Sequence, residues 1–284
     1  MKRNRKLFYL MVSLFLLTAC LPITAQAQDA VPTDSWTEHI AKAFAGGSGT
    51  KENPYQINSA EQLALLAKDV KDGISGKTHA EEYFILTEDI DLSAHKWEPI
   101  GYQDGPHSYK AFSGYFDGNG KKITGLYVDV GTENRSAGLF GCILAYSSEP
   151  MIQNLTIENG IVLAGNSTDN QQSYGAGLLI GTIAGSSYAD YTAVENCTVS
   201  GTVSSKMRAG GFVGDANYTH FNNCHANVEV TGHCVSGGFV GNTFNSQLTN
   251  CTAKGCLLYT SVPLTNFPDI HILVYHHPQL QFSK

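Results

Sequence analysis

Four glycine phrases punctuate the middle of the chain: Ala137-Gly-Leu-Phe-Gly141, Ala176-Gly-Leu-Leu-Ile-Gly181, Ala209-Gly-Gly-Phe-Val-Gly214 and Ser236-Gly-Gly-Phe-Val-Gly241. Each is followed by an asparagine phrase: Ile152-Gln-Asn-Leu-Thr-Ile157, Val194-Glu-Asn-Cys-Thr-Val199, Phe221-Asn-Asn-Cys-His-Ala226 and Leu248-Thr-Asn-Cys-Thr-Ala253. The asparagines stand at 154, 196, 223 and 250, so the intervals are 42, 27 and 27 residues. A fixed period in this range marks a solenoid, in which each unit buries its apolar face against its neighbours. Within units, Cys197, Val199 and Val203, then Cys224, Ala226, Val228 and Val230, alternate with polar residues. Alternation with period two and β-branched side chains reads as strand. The unit is too short for a strand plus a crossover helix, which takes about 30 residues or more. The spacing therefore predicts an all-β fold, a parallel β-helix with two or three short strands and their corners in each turn.

The columns follow from the period. Asn154, Asn196, Asn223 and Asn250 each precede an inward residue, the place for a corner whose backbone takes left-handed dihedrals. Stacked on successive turns, their amides could pair as a ladder. Cys197, Cys224 and Cys251 share one position, and equivalent positions on adjacent turns lie about 4.8 Å apart. Disulfide torsions fit poorly between in-register neighbours, so a column of small buried hydrophobes is the expectation. The glycines let neighbouring backbones approach closely.

Upstream, Gly47-Ser-Gly-Thr50, Pro54-Tyr-Gln-Ile57 and Glu61-Gln-Leu63 lead into Asp89-Ile-Asp-Leu92, Trp97-Glu-Pro-Ile-Gly101 and Phe112-Ser-Gly-Tyr-Phe-Asp-Gly118. Taken in order from about Phe44 to Gly255, these phrases resemble the GLUG motif. That repeat belongs to bacterial surface proteins and to the non-catalytic region of some immunoglobulin A-cleaving metalloproteases. The resemblance implies a right-handed β-helix over 46–255 and implies no particular activity.

Lys2, Arg3, Arg5 and Lys6 precede an apolar run from Leu7 to Leu17, the pattern of an export signal. Two exits compete. Leu17-Thr-Ala-Cys20 resembles a lipobox, which would leave a lipidated Cys20 after removal of 1–19. Ala25-Gln-Ala27 resembles an A-x-A site and would remove 1–27; the bulky Leu21 favours it. Of 18 basic residues, removal of those four leaves 14 against 25 acidic ones, a net charge of −11. Such a surface excludes nucleic acid and anionic membranes as partners, leaving a lipid anchor as the one membrane link. Neither a C-x-x-C pair nor a Cys/His cluster at metal spacing occurs, so neither metal nor cofactor is expected.

Residues 28–45 read as a linker. Ser59-Ala-Glu-Gln62 forms a capping box before Leu63, Leu65, Leu66 and Val70, which predicts a short helix at about 60–72 capping the open end of the β-helix. Gly76-Lys-Thr78 lacks the first glycine of a phosphate loop, since residue 71 is lysine. Tyr83-Phe-Ile-Leu86 and Asp89-Ile-Asp-Leu92 read as the first strands, with both aspartates facing solvent. Phe116-Asp-Gly-Asn-Gly-Lys-Lys-Ile123 imitates a calcium loop but carries Val128 where the twelfth position needs glutamate. Residues 142–151 and 164–175 are polar insertions of the kind that map to flank loops. Beyond Gly255, Cys256-Leu-Leu-Tyr-Thr-Ser261 breaks the pattern. One reading frame of a transposon end used in sequencing libraries encodes that hexapeptide, so 256–284 is expected to be artefactual or chimeric. Its His271, His276 and His277 are given no metal role.

Tyr188, Tyr191, Tyr218 and Phe244 precede the asparagine phrases, and Tyr191 and Tyr218 each lie six residues before their cysteine. They form either a platform for sugar rings or a strip that covers corner backbone. No H-E-x-x-H or G-x-S-x-G occurs, and Glu158, Asp169, Asp190, Asp215 and Glu229 share no position in the unit. The expectation is a non-enzymatic, adhesin-like module at the bacterial cell surface, outer membrane or periplasm, binding glycan or protein. Its alternatives are the leader of a larger metalloprotease or polysaccharide-active enzyme, and a passive spacer.

Overall fold

In His225–Gly232 every second residue is buried, whereas Val213–Asn217 is buried at four consecutive positions, and hydrogen bonds run from one passage of the chain to the next. The computed structural model describes residues 31–72, 82–105, 108–133, 135–144, 150–165, 174–184, 191–206, 208–233, 235–259 and 272–273. The body is mostly strand, and its large sheets are parallel in a β-helix-like arrangement. The first sheet contains Tyr55–Ile57, Tyr83–Leu86, Tyr115–Asp117, Pro150–Gln153, Thr192–Glu195, Thr219–Asn222 and Gln247–Thr249, in that spatial order. The second is built on Lys122–Thr124, Thr156–Ala164, Thr198–Ser205 and His225–Gly232, and a third on Phe140–Leu144, Ile180–Ala184, Val213–Asn217 and Val240–Phe244. The third sheet has four strands and begins only at Phe140–Leu144, whereas the first has seven and begins at Tyr55–Ile57.

Register explains the unequal intervals. Ile157 pairs with Val199, an offset of 42, and after a bulge Gly160 pairs with Gly201, an offset of 41. Gly175 then pairs with Arg208 at an offset of 33, held through Ile183 and Ala216. Thr192 pairs with Thr219 at 27, the offset of the next passage as well. The extra residues are therefore one at the bulge, eight between Ala164 and Gly175, and six between Ile183 and Thr192. This agrees with the insertion expected at 164–175 and corrects the one expected at 142–151, whose place is taken by the stretch between Ile183 and Thr192. Cys142, Ile143 and Met151 are buried strand residues, and 142–151 precedes Asn154 altogether.

The core is a stack of inward residues. Phe84, Phe112, Phe116 and Phe140 fill one part of it, and Phe212 lies on Phe239 with ring centroids 4.6 Å apart and planes at 8°. Full burial of each such ring contributes roughly 1.5–3 kcal/mol. Glycine is needed where backbones meet edge on: a Cβ on Gly214 would stand 2.1 Å from the amide nitrogen of Ala176.

The helix, α1, spans Ala60–Asp72 and turns Leu63, Leu66 and Val70 into the common core. Gln62 Oε1 accepts a hydrogen bond from the Asn58 N–H at 2.9 Å, closing its first turn. Two sequence expectations change. Tyr55–Ile57 precedes Tyr83–Leu86 as the first rung. Residues 34–45 lie within the stretch read as linker yet pack onto the body: Trp36 is buried, and its Nε1 donates to Leu92 O at 3.0 Å. Leu257–Tyr259, within 256–284, pairs with His225–Gly232 at the same offset of 27, which sets Leu257 beside the buried Val230.

Candidate functional site

The flank between the third and first sheets carries Tyr191, Tyr218 and Phe244. Tyr191 and Tyr218 are half-buried, with centroids 6.2 Å apart in an edge-on arrangement. Tyr191 stacks on His220 at 4.1 Å, and Tyr218 meets Phe244 edge-on at 5.5 Å. Phe244 is 54% exposed. Tyr188 lies outside the described residues, as does Cys20. His220 was not foreseen; its Nε2 is shielded from solvent and has no hydrogen-bond partner among the described residues.

Register separates two of these residues. Phe244 pairs with Asn217, so the position equivalent to Tyr218 in the next passage is Asn245. Both have left-handed backbones, φ 50° for Tyr218 and 52° for Asn245. Asparagine tolerates that conformation, whereas a bulky aromatic side chain there is a genuine outlier costing about 1–2 kcal/mol. The corner holds it through Tyr218 N–H to Phe244 O at 2.9 Å and Thr192 N–H to Tyr218 O at 3.0 Å.

The opposite corner, between the first and second sheets, is the asparagine column. Asn154, Asn196, Asn223 and Asn250 have φ between 52° and 54°. Asn223 Nδ2 donates to Asn196 Oδ1 at 2.9 Å, and Asn196 Nδ2 donates to Asn154 Oδ1 at 3.1 Å. Asn154 Nδ2 in turn reaches Asp117 Oδ1 at 3.0 Å. Beside it, Cys197 and Cys224 are buried and Cys251 half-buried, all as free thiols. The Cys224 and Cys251 thiols donate to Val194 O and Phe221 O, at 3.4 and 3.5 Å. The bond between the Cys197 and Cys224 side chains, helped by burial, pushes the Cys224 thiol up to about 12. Burial alone does the same for Cys142.

Among the carboxylates weighed as catalytic, Asp215 is buried and both its oxygens are engaged, one by Arg208 and the other by Asn242 Nδ2 at 2.9 Å. Glu158 pairs with Lys122 on the surface, 2.7 Å away. One cluster joins residues that the sequence reading left apart: the side chains of Asp34, His39 and His95 converge at the start of the body. Two of them are 61 positions apart and no repeat links them, so spacing carried no signal.

No family model matches the chain. Over 154 residues it is 32% identical to "Putative Gly-rich membrane protein" of Evansella cellulosilytica, a stretch covering 52% of this chain and 15% of that protein. Over 178 residues it is 33% identical to Halomucin of Haloquadratum walsbyi, covering 60% of this chain and 2% of that protein. The chain thus spans a small part of the curated relatives it matches. Among solved structures it is similar to "a putative immunoglobulin A1 protease" from Bacteroides ovatus, with a TM-score of 0.51 and 20% identity over 76% of this chain and 70% of the other. At that identity the likeness concerns the fold. Among the described residues no helix is long and apolar enough to cross a membrane.

Proposed function

We propose that this chain is an exported, surface-displayed module of the GLUG type, a right-handed β-helix that binds glycan or protein along its aromatic flank and has no catalytic role. The observation that carries the binding reading is Tyr218. A tyrosine held at φ 50°, where the next passage uses asparagine, keeps an aromatic ring on the flank at an energetic cost. With Tyr191, His220 and Phe244 it offers ring faces and edges of the kind that sugar rings and extended peptides pack against. The surface setting is supported by the two relatives, one described as a membrane protein and the other as a mucin by name.

The spacer reading has its own support, because Tyr191 lies on His220 and thus spends one ring face within the protein. Glycan-array and surface-protein binding by the parent and by Tyr191→Ala/Tyr218→Ala decides between them. A binder loses its signal in the double variant while unfolding at a similar temperature; a spacer gives no signal in either chain. The leader reading draws on the small share of the relatives that this chain covers, and release of reducing ends from a polysaccharide panel by this chain alone would replace both readings with an enzyme.

A further inference from the structure

Asp34, His39 and His95 are brought together by backbone, before any side chain acts. Lys96 N–H donates to Asp34 O at 2.9 Å and Trp36 N–H to Lys96 O at 3.0 Å, which sets residue 34 beside the 95–96 step. The short 3₁₀ turn Trp36–Glu38, capped by Ser35 and closed by His39 N–H to Trp36 O, then swings His39 back over Asp34. The Trp36 indole lies beneath, edge-on to the His95 ring at 4.7 Å. Asp34 Oδ1 is 2.8 Å from His95 Nδ1 and Asp34 Oδ2 is 3.1 Å from His39 Nε2. The two imidazoles face each other with centroids 3.8 Å apart.

We infer that these three residues form a binding site for a divalent transition-metal ion, Zn²⁺ above all. One donor atom from each lies within 4.8 Å of the others. Tetrahedral zinc with ligand bonds of about 2.0–2.2 Å needs neighbouring donors roughly 3.3 Å apart. Asp34 meets the two rings through different oxygens, so a small turn of its carboxylate is needed to set one oxygen between both nitrogens. Two imidazoles and one carboxylate suit zinc, copper or nickel, while calcium and magnesium require more oxygen donors. The rings lie only 14° from parallel, so coordination needs one of them to turn. Their side-chain exposures of 41% for His39 and 21% for His95 leave room for this. With three protein ligands the fourth position remains open to water or to a carboxylate from another molecule. Bound there, the ion would clasp residues 34–39 to the 92–96 segment.

The test is calorimetric titration of Zn²⁺ into the full chain and into His39→Ala, His95→Ala and Asp34→Asn. The expected result is one equivalent bound by the parent, weakened about 100-fold or more in each variant, since losing even an outer-shell partner typically costs about 10–100-fold. A His271→Ala/His276→Ala/His277→Ala chain retains that equivalent. The inference is overturned if the parent binds no zinc, if the three variants bind as the parent does, or if the tail variant abolishes binding. Should a variant fail to fold in chelator, ring-nitrogen NMR of the parent decides. Zinc must shift His39 Nε2 and His95 Nδ1, and movement of other histidines alone overturns the site.

Discussion

Residues 191–250 and residues 34–135 are held together by opposite means. In the first region one set of contacts is repeated at an offset of 27: amide on amide, ring on ring, thiol beneath carbonyl. In the second, each contact occurs once. Two tryptophans reach out to carbonyls of neighbouring passages, Trp36 to Leu92 O and Trp97 to Leu139 O, both at 3.0 Å. Glu98 joins Arg135 Nη2 at 3.2 Å and Lys71 Nζ at 2.9 Å. A repeated contact recurs with its neighbours above and below, whereas each singular one ties a single pair of passages together.

The comparison breaks most visibly in the core. Phe212→Ala and Trp36→Ala should each cost about 3–5 kcal/mol in denaturant unfolding, despite lying in regions of different construction. If Trp36→Ala costs under about 1 kcal/mol, the 34–45 segment is only laid against the body. Glu98 comes next. Burial on its own would raise its carboxyl, but the Arg135 hydrogen bonds and charge, with Lys71, outweigh this and hold it below the usual range. Its stabilising contribution is therefore complete above the unfolded-state value of about 4.3 and fades as pH falls through the lower folded value. Glu98→Gln should lose roughly 2–3 kcal/mol at pH 7 and flatten stability against pH below about 5.

Smaller effects sharpen the repeated side. Asn223→Ala should cost about 1–2 kcal/mol, because alanine must take φ 53° and the amide bond to Asn196 is lost. Asn223→Gly keeps the dihedral and should cost less; equal losses would mean that the ladder, not the backbone, decides. Least of all, Cys142 and Cys224, with thiols pushed up to about 12, should resist iodoacetamide at pH 8 in the native chain and react once it is unfolded.

The same contrast governs what could be read beforehand. Asn196, Asn223 and Asn250 stand in one column because a single period fixes all of them, and the period is visible in one dimension. The 34–45 segment scatters Trp36, Ile40 and Phe44 among polar residues and alanines without a two-residue alternation, so its packing had no signature. The Asp34–His95 pair depends on a bridge between Ser35 and Lys96 that only the folded chain creates. The strip Tyr191–Tyr218 was visible from spacing, but the left-handed backbone at Tyr218 was not, since nothing in a tyrosine announces it.

The return of the register from 42 to 27 has a consequence for how such a chain can change over generations. Eight extra residues after Ala164 and six after Ile183 leave the strands that follow in phase, so these two stretches absorb insertions and deletions as a margin absorbs notes. One codon lost inside Thr198–Ser205 would instead turn Val203 outward and its polar neighbours inward. Drift in length should therefore collect in these stretches and spare the strands, giving this molecule new loops without a new fold.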